Sequence, residues 1–340
     1  MKKIYPLGAS FFAAMFGLAC LQTVVFAESS SVFVTTLAGG GGNSWNVVGN
    51  YGGGYADGNG TSAAFSGPRG LAVDGSGNVY VADWGNSRIR KITTGGTVTT
   101  LAGGGGSEWN GAGYTGGNGT SAGFSHPSGA ALDWSGNVYV ADTNNDRIRK
   151  ITTGGTVTTL AGSGTAGYAD GNGISASFDL PLGVAVDGSG NVYVADTRNH
   201  RIRKITPGGT VRTLAGSGTA GYADGNGISA SFRYPYGVAV DGSGNVYVAD
   251  TSNNRIRKIT PSGTVTTLAG GGGSEWNGSG YADGNGTSAS FRSPWGVAVD
   301  GSGNVYVADT SNDRIRKITT GGTVTTLAGS GTAGYADGNG

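Results

Sequence analysis

The residues with which this chain could do chemistry are few: two histidines, one cysteine, and aspartates and arginines that recur along its 340 residues. His126 stands beside Pro127, and His200 closes the run Arg198-Asn199-His200. Two imidazoles from successive copies of a repeat fall short of a three-histidine zinc site. No serine is spaced to work with a histidine and an acid as a hydrolytic triad. The recurring pairs are Asp83 and Arg88, Asp142 and Arg147, Asp196 and Arg201, Asp250 and Arg255, and Asp309 and Arg314. Their spacing places both side chains across the mouth of one hairpin. They read as structural ion pairs or turn caps, each worth about 0–1 kcal/mol if exposed. A ring of charge around one face is the functional alternative.

Asp57, Asp170, Asp224 and Asp283 sit in Tyr-Ala-Asp-Gly-Asn-Gly stretches that superficially resemble calcium loops. The run of carboxylates and the terminal bidentate glutamate of such a loop are missing, so no metal and no cofactor is expected. Tryptophans are the better lead. Trp45, Trp109 and Trp276 occur in glycine-rich segments (GGGGNSWN, GGGGSEWN, GGGGSEWN), and Trp84 follows Asp83. Large amphipathic rings at such places suit a binding surface for protein or sugar; folding down as lids over neighbouring strands is the alternative.

These residues are carried by one unit, clearest at 237–270, GVAVDGSGNVYVADTSNNRIRKITPSGTVTTLAG. It recurs near 70–103, 129–162, 183–216 and 296–329. A period on this scale signals a repeat architecture. Each unit holds four short apolar runs rich in Val, Ile, Thr and Tyr, separated by Gly, Asn, Asp and Pro, which predicts four strands joined by tight hairpins. The second run is apolar on both faces, so its sheet needs a neighbour on each side; copies stacked radially around an axis supply them. The expectation is an all-β propeller with five complete four-stranded blades. Connectors of the form GSGTAGYADGNGISASF join them, with Phe65, Phe124, Phe178, Phe232 and Phe291 as wedges between blades. Loops after the second strand and connectors should open on one face. Val34–Gly39 matches a fourth strand without its sisters, and the sequence reads as a six-bladed ring truncated after Gly340, with an incomplete or tightly closed five-bladed ring as the alternative.

Met1-Lys2-Lys3 and an apolar stretch ending at Val25-Phe26-Ala27 have the form of a signal peptide, residues 1–27, leaving 28–340 as the propeller. The expected location is secreted, periplasmic or cell envelope, without membrane insertion after cleavage; lipidation at Cys20 is the alternative. With 22 Lys+Arg against 21 Asp+Glu, no charge bias points to nucleic acid, even though Arg-Ile-Arg-Lys recurs in every unit.

The pattern GVAVD…GNVYVADT.NNRIRKI…GTVTTLAG, with its ADGNG…F..P connector, resembles the NHL repeat. The resemblance covers nearly all of 34–340 and implies a propeller, commonly six-bladed, used as a partner-binding platform. Some relatives bind RNA, others serve as extracellular sensor or adhesion domains, and a few related propellers are metal-dependent lyases or lactonases. The sequence therefore leads to an exported, non-catalytic scaffold whose connector face engages a protein or glycan. A passive structural or cell-surface role is the runner-up, and a lyase- or lactonase-type enzyme comes third.

Overall fold

The computed structural model describes residues 21–26, 32–40, 54–107, 111–334 and 336–339. The chain is a five-bladed β-propeller. In blade 1 the strands are Pro68–Val73 (inner), Val79–Asp83 (second), Arg88–Ile92 (third) and Thr97–Gly103 (outer), each antiparallel to the next. The same order recurs in blades 2 to 5, whose inner strands are Pro127–Leu132, Pro181–Val186, Pro235–Val240 and Pro294–Val299. A fifth, two-residue strand from the connector (Gly58–Asn59 in blade 1) covers the outer edge that the sequence reading left open to water. A 3₁₀ turn follows it, Gly60–Ser62 in blade 1.

The apolar cores lie between blades, not within them. Tyr193, Ala195 and Ile202 of blade 3 pack against Phe232, Val238, Val246 and Val248 of blade 4. All five connector phenylalanines are buried, in the wedge position expected of them. The repeated glycine of each inner strand is what allows blades to approach near the axis. A Cβ on Gly70, Gly129, Gly183 or Gly237 would collide with the backbone of the next blade, at Ser128, Leu182, Tyr236 and Trp295 respectively. Gly296 in blade 5 meets only the Ala308 Cβ, at 3.4 Å. On that side Ala308 and Ile315 are half-buried, whereas their counterparts Ala249 and Ile256 are fully buried.

The outer part of this open joint is covered by Val32–Ala38, whose Leu37 and Ala38 pack on Ala63, Phe65 and Val79 of blade 1. This strand pairs with Leu21–Phe26 on one edge and Gly338–Asn339 on the other. The second pairing, Val34 with Gly338, repeats the register of Val98 with Gly58 in blade 1. Leu21–Phe26 falls within the segment read as a signal peptide.

Each blade is clipped by a buried ion pair, but the partner is not the arginine that the spacing suggested. Asp83 bonds Arg90 at 2.8 Å, not Arg88; Arg149, Arg203, Arg257 and Arg316 likewise take the places assigned to Arg147, Arg201, Arg255 and Arg314. Arg88 does face Asp83 across the ladder, yet its guanidinium donates to the Asn86 carbonyl and lies 4.1 Å from the Tyr55 ring centre. Arg90, two residues on and on the same strand face, reaches back to the carboxylate. These pairs are fully buried, so the surface-pair estimate does not apply to them. The second arm of Arg90 holds Asp57 at 2.6 Å; Asp170, Asp224 and Asp283 are held in the same way. The carboxylates that looked like calcium ligands are thus engaged by arginine.

The hairpin between inner and second strands is tied by Asp74, Asp133, Asp187, Asp241 and Asp300. Asp187 accepts from the Ser189 and Asn191 N–H groups, the Asn191 amide and the Tyr193 hydroxyl. Burial alone would push this carboxyl up, but the hydrogen bonds outweigh it and hold it below its ordinary value. The unfolded chain therefore takes up the proton first as pH falls. The carboxylate's stabilisation is present above the unfolded pKa and is lost as pH drops through the lower, folded one. Asp187→Asn should be less stable than the parent by about 1 kcal/mol at pH 6. Thermal melts of both proteins from pH 6 downward should show that gap closing below about pH 4. A gap constant across the range would refute the assignment.

Candidate functional site

In five nearly identical blades, the positions that differ are informative. One is the residue between the connector proline and the inner-strand glycine: Arg69, Ser128, Leu182, Tyr236 and Trp295. The inner strand begins there, so these five side chains come together where it enters the central channel. All five line a cavity of about 200 Å³ at the axis, which extends along the open side of blade 5 to Ala308 and Ile315. A second differing position is the residue before the proline, Gly67, His126, Leu180, Tyr234 or Ser293. Its backbone is left-handed in every blade, with φ of 47–53°. Four of these residues are not glycine, so the mouth carries local backbone strain, of order 1–3 kcal/mol per residue. The strained N–H groups are secured from the preceding blade: Leu180 donates to Asp146 Oδ1, Tyr234 to His200 Nδ1, and Ser293 to Asn254 Oδ1.

The third departure is Trp84. Its counterparts Thr143, Thr197 and Thr251 each donate a hydroxyl hydrogen bond to the next blade's proline carbonyl, at Pro181, Pro235 and Pro294. An indole cannot repeat that bond from Cγ. Trp84 instead packs against the His126 ring, centres 4.4 Å apart, and lies 4.2 Å from the Arg69 guanidinium. That guanidinium is also 5.6 Å from the Trp295 ring centre, and Trp295 meets Tyr236 edge-on at 5.1 Å. Arg69 has no carboxylate partner among the described residues. Burial lowers its pKa, with the Tyr236 hydroxyl opposing the shift.

Both histidines lie on this face and are already oriented. Asn144 donates its side-chain amide to His126 Nδ1 at 2.9 Å, and the Tyr234 N–H donates to His200 Nδ1 at 3.2 Å. Each ring nitrogen is an acceptor, so the proton sits on Nε2. Burial lowers both pKa values, helped by Arg69 at His126 and by Arg201 and Arg233 at His200. Both imidazoles are therefore neutral near pH 7. Among the described residues no three histidine, cysteine or acidic side chains gather closely enough to hold a metal ion.

Of the two singled-out tryptophans that lie among the described residues, Trp84 reaches the channel mouth and Trp276 does not. Trp276 is 67% exposed and lies beside Arg233, 4.8 Å from the guanidinium, away from the cavity lining. Trp45 and Trp109 lie outside the described residues. The recurring Asp–Arg pairs belong to the blade interiors, where burial pushes Asp142 and Asp196 up to about 6 against the pull of backbone donors and arginine. Arg69, Ser128, Leu182, Tyr236 and Trp295 belong to no recurring motif, so the repeat pattern does not single them out. Their signal was variation at one fixed position, Pro-x-Gly.

A profile of the NHL repeat matches 65–92, 124–151, 178–205, 232–259 and 291–318, one match for each blade. The five units are NHL repeats. Each match runs from the wedge phenylalanine to the end of the third strand, so the differing Pro-x-Gly position lies inside the NHL repeat. The NHL chain is 32% identical over 292 residues to the protein Suppressor of quenching 1, chloroplastic, of Arabidopsis thaliana, covering 78% of this chain and 26% of that protein. It thus spans about a quarter of that relative's length. Among solved structures it is similar to an auxiliary nutrient binding protein from Bacteroides thetaiotaomicron, with TM-score 0.60, 20% identity and coverage of 92% and 69% of the two chains. A gluconolactonase from Xanthomonas campestris aligns with TM-score 0.54, 14% identity and coverage of 95% and 88%. At these identities the two structures speak for the fold of the NHL propeller.

Proposed function

We propose that this NHL propeller is an exported binding scaffold that engages a protein or glycan partner without catalysis. The contact surface is the mouth of the central channel, on the face shared by connectors and second-to-third-strand loops. One observation carries the reading: copies that agree at almost every other position differ where their side chains converge on the axis. Packing explains what the blades share, and recognition explains what they do not. Export rests on the basic start and apolar run of residues 1–27. Cleavage after Ala27 would remove Leu21–Phe26 and leave Val32–Ala38 paired with Gly338–Asn339.

The competing reading is a lyase- or lactonase-type enzyme, the activity named for the gluconolactonase neighbour. Both neutral histidines present Nε2–H on this face, but each belongs to a different blade and neither has a carboxylate behind it. The test is to immobilise the protein and measure binding to purified envelope proteins and a glycan panel. Trp84→Ala with Tyr236→Ala should weaken the bound partner at least about tenfold, as loss of aromatic anchors does. Trp276→Ala should leave it unchanged. A partner held equally by both variants would move the surface elsewhere, and turnover of a lactone lost with His126→Ala would favour the enzyme.

A further inference from the structure

We propose that the channel mouth takes a carboxylated sugar ring, with Arg69 binding the carboxylate. This rests on the binding reading above and names its ligand class. The cavity is lined by Arg69 and by no acidic residue. Every arginine of the blade interiors has its carboxylate; Arg69 has none among the described residues, and is half-buried between two indoles. A guanidinium held away from water in this way is a site for a planar anion, which its fork matches with two parallel hydrogen bonds.

Other groups specify what bears that anion. Tyr236 lines the same cavity, and its hydroxyl can give and accept a hydrogen bond, which suits a ligand hydroxyl. Trp295 and Tyr236 add ring surface for the apolar C–H face of a pyranose. At about 200 Å³ the cavity is below the roughly 300 Å³ at which pockets for drug-sized ligands begin. That is room for one sugar ring, and too little for a run of peptide.

Titration calorimetry on the full chain, with galacturonate, glucuronate, glucose and benzoate as probes, tests this. At least one uronate should bind more tightly than glucose and benzoate. Arg69→Gln should weaken it about 10–100-fold, the range for a hydrogen bond to a charged group, with an unchanged thermal midpoint as the folding control. Arg69→Lys should recover part of the loss, and Tyr236→Phe should weaken uronate and glucose alike. Glucose binding as tightly as the better uronate, or indifference to Arg69→Gln, overturns the carboxylate clamp but keeps a sugar-binding mouth. Silence toward all four probes, with a protein partner still lost on Trp84→Ala, overturns the sugar and keeps the scaffold. Silence toward every partner overturns both.

Discussion

Replacing Arg257 with alanine should destabilise the propeller by about 3–5 kcal/mol, the usual consequence of stranding one member of a buried ion pair. The guanidinium is fully buried and joins four acceptors. One arm donates to Asp250 at 2.8 Å and the Ser231 carbonyl at 3.1 Å; the other donates to Asp224 at 2.6 Å and the Ala223 carbonyl at 2.8 Å. The same group therefore fastens the connector to the second strand of its blade. Alanine leaves Asp250 buried, with only the Asn253 amide and the Arg233 N–H donating to it. Asp224 is 45% exposed at its side chain and can turn to water. The chain contains its own control. In blade 2, Gly116 occupies the place of that second acid and Arg149 pairs with Asp142 alone. Asp224→Asn should therefore be mild, within about 1 kcal/mol. The pairing of Arg257→Met with Asp250→Asn should recover much of the alanine loss, because no buried charge is then left unpaired. Urea unfolding of the four proteins gives the comparison; a loss below 1 kcal/mol for Arg257→Ala would sink the account.

The second large effect is expected at Gly183. Its added Cβ would lie against the Tyr236 backbone of the next blade, and a backbone cannot swing aside as a side chain can. Gly183→Ala should cost about 3 kcal/mol, the upper part of the overpacking range, and should loosen the joint between blades 3 and 4. Gly296→Ala is chemically the same change at the same position of the unit. It meets only the Ala308 Cβ at 3.4 Å and should stay within about 0.5 kcal/mol. Thermal unfolding of the pair, with amide exchange at Val194 and Val248 as the local readout, separates them. Equal losses at the two positions would mean that something seats against Gly296 as well.

The propeller was legible because each unit repeats its turn chemistry and its doubly apolar second strand, Val246 to Ala249, which no isolated sheet could bury. The buried clip was only half legible. Counting along the chain finds Arg255 opposite Asp250, and so it is in the ladder. Which of two arginines on one strand face turns inward depends on what else each can reach: Arg255 finds the Tyr222 ring and the Asn253 carbonyl, while Arg257 is enclosed. The mouth was hardest to see. Arg69, Tyr236 and Trp295 share no motif, and their convergence exists only after the ring has brought distant proline–glycine steps to one axis.

The left-handed residues Leu180, Tyr234 and Ser293 are held by the preceding blade through their backbone N–H groups, which leaves their side chains free to differ. The joints from blade 2 to blade 5, by contrast, repeat the same threonine bond and the same glycine contact from one copy to the next. Exchanging units among those places would leave their seams intact while dealing a new hand of side chains around the hole. The lining is thus spelled by the succession of units, in the way a combination is set by the order of its wheels.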